Sequence, residues 1–157
     1  MSLNKRAQQF QDLLTDRGLS LTVLELPDST RTADDAARAL GCKKSQIVKS
    51  LVFRAVADNS PIVVLASGPN RVNEETIARL VGSQIAKGDA DFVKGVTGFA
   101  IGGVPPLGHR QKVTLLVDED LLAFDEVWAA AGTPNAVFKI AGGLTDILPA
   151  HQVVSVK

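Results

Sequence analysis

The segment Val96-Thr-Gly-Phe-Ala-Ile-Gly-Gly-Val-Pro-Pro-Leu-Gly-His109 constrains the fold more than any other stretch of this chain, because its glycines and prolines prescribe a backbone path. Gly102 and Gly103 can take positive φ and admit a ligand close to the main chain, whereas Pro105 and Pro106 fix φ and stiffen the end of the loop. Such a loop is expected to present the amide N–H groups of Gly102, Gly103 and Val104 and then to turn rigidly. Unpaired amides of this kind suit a carbonyl oxygen or an oxyanion.

The remaining pattern predicts a mixed α/β chain. Leu3, Ala7, Phe10 and Leu14 recur at helical spacing, so residues 2–17 are expected to form an amphipathic helix that Gly18 ends. Leu19 to Leu26 reads as a strand stopped by Pro27-Asp-Ser, and Thr32-Ala-Asp-Asp35 opens a short helix ended by Gly41. Ile47 to Ala57 and Ile62 to Ala66 predict an antiparallel hairpin across Asp58-Asn-Ser-Pro61, and Val127 to Ala131 with Ala136 to Ile140 predict a second. Asn73 and Asp89 are positioned to cap helices running to Val81 and Lys94, and Val113 to Val117 and Val153 to Val156 read as strands. Asp118-Glu-Asp120 and residues 143–148 are expected to form helical turns. About six strands with frequent hairpins favour a mostly antiparallel or mixed sheet over a parallel doubly wound one.

Composition narrows the function classes. The chain has 157 residues, 45% of them hydrophobic, which is enough for one domain spanning 1–157. Seventeen Lys and Arg balance 17 Asp and Glu, so no global basic field draws it to nucleic acid, and any such contact must be local. The polar start and the lack of a long apolar run predict a soluble cytoplasmic protein, and the single Cys42 is consistent with a reducing compartment.

Several chemistries fall away. Gly103-Val-Pro-Pro-Leu-Gly108 has phosphate-loop glycine spacing, but His109-Arg110 replaces the required Lys and hydroxyl residue, and the prolines remove two amides. Cys42, His109 and His151 lack metal-site spacing, so neither a metal nor another cofactor is expected. No serine stands in a nucleophile elbow. The carboxylate pairs Asp34-Asp35 and Glu74-Glu75 sit at helix starts, where the helix dipole accounts for them.

Lys49 is different. In Ile47-Val-Lys-Ser-Leu-Val-Phe53 it shares one strand face with Ile47, Leu51 and Phe53, which places an ammonium among apolar neighbours. It either snorkels to solvent over an apolar surface or projects into a pocket as a cation with a depressed pKa.

Three segments together resemble the YbaK-type aminoacyl-tRNA deacylases, a family that includes the editing insertion of bacterial prolyl-tRNA synthetases. These are Thr32-Ala-Asp-Asp-Ala-Ala37 with Leu40-Gly41, the lysine strand Gln46 to Phe53, and the glycine loop Thr97 to His109 followed by Val117-Asp118. The resemblance runs from about residue 3 to the C-terminus. It implies a curved sheet approaching a barrel with helices around it, and hydrolysis of the ester that joins a wrong amino acid to tRNA. It places the functional lysine on Lys49 and the loop glycine on Gly102. The Gly102 and Gly103 amides are then assigned to the ester carbonyl or its oxyanion, and Lys49 to substrate orientation.

Substrate contacts are expected from Thr32, Val104 and His109. Thr32 is also read as a helix cap, and His109 as a histidine tying the loop to backbone. Phe99, Ile101 and Trp128 are expected in the core. Some relatives carry a pocket tyrosine before the early helix; this chain has none, which leaves alanine, serine or another small residue open as the amino acid removed. The implied partners are the 3′ aminoacyl end of a mischarged tRNA and a synthetase. A non-catalytic module that recognises an aminoacylated end is the alternative. A track drawn from Lys43, Lys44, Arg71, Arg110 and Lys112 is where whole tRNA would be expected to bind.

Overall fold

The computed structural model describes residues 3–27 and 32–157. Ser2, at the expected start of the first helix, and Asp28 and Ser29, expected to end the first strand, lie outside the described residues. Four α-helices are present among the described residues: α1 Lys5–Asp16, α2 Ala33–Leu40, α3 Glu74–Val81 and α4 Ala90–Thr97. Eight strands accompany them: β1 Val23–Glu25, β2 Val48–Ala55, β3 Pro61–Ser67, β4 Ile85–Lys87, β5 Thr114–Asp118, β6 Glu126–Ala130, β7 Ala136–Ala141 and β8 Gln152–Val154.

The predicted caps form. The Thr32 hydroxyl accepts from the Asp35 amide at 3.0 Å, the Asn73 side chain from Glu75 and Thr76, and the Asp89 carboxylate from Phe92 at 2.8 Å. Each satisfies an amide that its helix cannot.

The strands make two sheets, with orders β4-β2-β3-β5-β8 and β1-β7-β6. Both expected hairpins are present, β2 with β3 and β6 with β7. The larger sheet is mixed, because β5 joins β3 in parallel and β8 joins β5 in parallel. The fold is therefore mixed α/β with curved sheets, as expected, but the sheet does not close into a barrel. Eight strands replace the expected six or so: the strand expected over Leu19 to Leu26 is present but shortened to Val23–Glu25, and β4, which had no counterpart in the sequence reading, is only three residues long, too short to show a period.

β3 explains how the layers assemble. Its run Ile62-Val-Val-Leu-Ala66 is apolar throughout, and both faces of the strand are covered. Val63 and Leu65 join a core with Phe10, Leu14 and Phe138, whereas Ile62, Val64 and Ala66 join Phe53 and Ile77 on the other side. Helix α1 thus seals one face and α3 the other.

Pairing along β2 positions the cleft. One edge is bonded to β3 from Val48 to Arg54. On the other edge β4 pairs only with Phe53 to Ala55, and Ile47 makes a single bridge to Trp128 of β6. Between those two contacts the stretch Lys49–Val52 has no partner strand among the described residues.

Asp118, expected only at the start of a helical turn, does more. It is fully buried, and its carboxylate accepts from the Ser67 amide at 3.0 Å, the Asn70 side chain at 2.8 Å and the Asp120 amide at 2.9 Å. It pins the turn after β3 to the end of β5. Asp118→Ala is expected to strand these donors and to cost about 3 kcal/mol, with Asp118→Asn losing less because it keeps an acceptor. Urea denaturation checks this, and an unchanged midpoint for the alanine variant would contradict the role.

Candidate functional site

Lys49 is the second residue of β2, opposite Ala66 of β3. Its Nζ donates to the carbonyl of Asn70 at 2.8 Å, and the side chain is partly buried. It forms no ion pair among the described residues. Burial lowers its pKa from the ordinary lysine value, as does the nearby Lys44 charge, while Asp118 acts in the opposite direction. An ammonium carries three donors, so with one bonded to Asn70 two are left for a ligand.

The gap along β2 forms two adjoining cavities. The larger, about 580 Å³, is lined by Lys49, Ser50, Asn70, Arg71, Gly102 and Val104 among others. The smaller, about 320 Å³, shares Lys49, Ser50, Gly102 and Val104 and adds Thr32, Ala36, Trp128 and Pro134. The lysine strand and the glycine loop, 53 residues apart at Lys49 and Gly102, therefore face one cleft. Thr32 reaches it as well while capping α2.

The loop backbone departs from expectation at one glycine. Gly102 has φ +89, and its amide forms no hydrogen bond among the described residues. Gly103 instead donates its amide to the Ala100 carbonyl at 3.0 Å, which closes a turn and removes that N–H from the site. Gly103 is needed for close approach: a Cβ there would stand 2.8 Å from Thr133 Cα, inside the backbone of the turn after β6. The Gly103 carbonyl also accepts from Gly132 at 3.0 Å, fixing the loop to that turn. Val104 is buried, lines both cavities and has no bonded amide among the described residues.

Other residues fall differently from the sequence reading. His109 lines neither cavity; its Nε2 donates to the Pro105 carbonyl at 2.7 Å and ties the loop to itself. Ile101, expected in the core, is 57% exposed and lines both cavities. Trp128 is half-buried against the smaller cavity, with Lys139 Nζ 5.9 Å from its ring. Phe99 does anchor the loop, edge-on to Phe10 at 6.2 Å.

Two contributors were missed. Ser50 lines both cavities, and its hydroxyl is buried with no hydrogen-bond partner among the described residues. A buried hydroxyl left this way is costly unless a ligand completes it. Asn70 links Lys49 to Asp118 and Asp120, accepting at its carbonyl and donating from its side chain. Ser67-Gly-Pro-Asn70 has the composition of an ordinary turn, and its partners are distant in sequence.

Residues 27–147 match the aminoacyl-tRNA editing domain family, and the chain belongs to it. It is 30% identical over 118 residues to the uncharacterised YwhH protein of Bacillus subtilis strain 168, covering 75% of this chain and 74% of that one. It is 34% identical over 94 residues to the proline–tRNA ligase of Limosilactobacillus fermentum, a match spanning 57% of this chain but 16% of the ligase. A crystal structure of a candidate trans-editing enzyme for prolyl tRNA synthetase superposes with a TM-score of 0.92 at 44% identity, covering 99% of both chains. Together these support an editing role.

Burial, outweighing the bond to Pro105, lowers the His109 pKa below its ordinary 6.5, and the Arg17 charge adds to that effect. The folded chain then binds fewer protons at His109 than the unfolded chain. The associated stability is fully present above about pH 6.5 and is lost as pH falls through the lowered folded value. His109→Gln is expected to flatten the pH dependence of the urea midpoint between about pH 7 and about pH 5. An identical slope in variant and wild type would contradict the assignment.

Proposed function

We propose that this chain is a trans-editing hydrolase that deacylates tRNA carrying a small, wrongly attached amino acid. The observation that carries this reading is one cleft lined by Lys49, whose ammonium keeps two uncommitted donors, and by Gly102, whose amide has no partner among the described residues.

The chemistry rests on those groups. A water oxygen attacks the ester carbonyl carbon, the bond to the ribose oxygen breaks, and the water proton passes to that oxygen, through the neighbouring ribose hydroxyl or a second water. The Gly102 amide stabilises the oxyanion that forms, and Lys49 orients the ester and offsets its developing charge. The Gly103 amide takes no part, since Ala100 holds it. The ester is already activated, so positioning and oxyanion stabilisation suffice without a covalent intermediate. Ser50 is not the nucleophile in this scheme, because no imidazole or carboxylate is bonded to its hydroxyl among the described residues.

The smaller cavity is the seat for the amino acid side chain. Ala33, Ala36, Leu51, Ala130 and Val137 contribute to its wall, which suits a short aliphatic group. The chain would act in the cytoplasm on the 3′ aminoacyl end of tRNA, with a synthetase as the source of the mischarged substrate.

Deacylation of tRNAs charged with alanine, serine, threonine and cysteine tests this. Lys49→Ala is expected to lower kcat about 100-fold or more on the preferred substrate while circular dichroism is unchanged. Full activity in Lys49→Ala would refute the mechanism. Binding without turnover across the whole panel would identify a recognition module instead.

A further inference from the structure

A second groove of about 560 Å³ lies apart from the cleft, between the loop end at Gly108–Val113, the start of β5 and the segment Pro149–Gln152. Arg17, Arg110 and Lys112 line it, with His109 and His151, and no Asp or Glu is among its lining residues. The ion pairs among the described residues use Arg38, Lys44, Lys139 and Lys157, so the groove's three permanent cations are unpaired among them. In a chain whose formal charges cancel, that is a local concentration of free positive charge. The field extends past the groove: burial lowers the Lys94 pKa, and Arg6 and Arg110 lower it further.

From this arrangement we infer that the groove binds the phosphodiester backbone of RNA, holding the acceptor stem of the tRNA whose 3′ end enters the Lys49–Gly102 cleft. The identity of the RNA rests on the deacylase reading above. Two guanidiniums and an ammonium without competing carboxylates match phosphate in both charge and geometry. The loop that supplies Gly102 to the cleft supplies His109 and Arg110 to the groove. Gly102 and His109 are seven residue steps apart, so the sites are at most about 25 Å apart, within reach of a stem and its single-stranded end. Of the basic residues in the expected track, Lys44 and Arg71 line the cleft instead, and Lys44 is paired with Asp34 at 3.2 Å.

The test compares Arg110→Glu/Lys112→Glu, and the milder Arg110→Gln/Lys112→Gln, with wild type. Three quantities are read: affinity for uncharged tRNA at several salt concentrations, deacylation of aminoacyl-tRNA, and hydrolysis of the same amino acid esterified to a CCA trinucleotide. The glutamate pair is expected to raise KM for aminoacyl-tRNA about tenfold or more, and the glutamine pair to reduce the salt slope of tRNA binding by about two. Trinucleotide hydrolysis should stay within about twofold of wild type for both pairs. Unchanged tRNA affinity and KM would overturn the inference, as would parallel loss of trinucleotide hydrolysis in both pairs. Binding to phosphatidylserine vesicles that depends on these residues, with none to tRNA, would also overturn it. A wild type that binds tRNA through the groove yet hydrolyses neither ester would refute the deacylase reading and leave the groove standing.

Discussion

The unshared edge of β2 is the constraint on which the site depends. Had β4 run the length of β2, or had β6 continued past the bridge at Ile47, Lys49 to Val52 would be sealed inside a continuous sheet. Instead the two neighbours diverge, and the opening between them becomes the cleft. A broken ladder leaves polar backbone in need of partners, which natural sheets tolerate where a ligand or loop supplies them. The glycine loop forms one wall of this opening, with Phe99 holding one end and the close approach of Gly103 to the Thr133 turn holding the middle.

Charge in the cleft is arranged around a neutral intermediary. Lys49 touches no carboxylate among the described residues; Asn70 stands between the ammonium and the Asp118–Asp120 pair. A direct ion pair would neutralise the cation and commit its donors, whereas a carbonyl orients it and leaves charge available. The buried Asp118 therefore acts on the site at one remove, by holding the turn that carries Asn70. On the proposed mechanism, positioning and one preorganised amide do the chemistry, so a loop shift of about 1 Å would be felt strongly.

Much of this was legible from the chain. Caps at Thr32, Asn73 and Asp89, both hairpins and the lysine strand came from local rules, because each depends on residues close in sequence. Pairing Lys49 with Gly102 came from resemblance to the editing family, and the cleft places both on its walls. Long-range contacts and exact backbone geometry stayed hidden. Gly103 and Gly102 look equivalent as letters, yet one amide closes a turn and the other is open. Ile101 looks like core but is held at the cleft mouth by the turn at Gly102 and Gly103. Asn70, Ser50 and Asp118 acquire their roles through contacts spanning 21 to 51 residues or through a missing partner, neither of which a local pattern can show.

Whether the Gly102 amide receives the substrate carbonyl is decided by an amide NMR titration of the protein with an aminoacyl-adenosine analogue whose ester is replaced by a non-hydrolysable amide. The Gly102 resonance is expected to shift downfield on saturation as its N–H meets the analogue carbonyl, while Gly103, already bonded to Ala100, moves little. Saturable binding that leaves Gly102 in place, or that shifts Gly103 in its stead, would contradict that role.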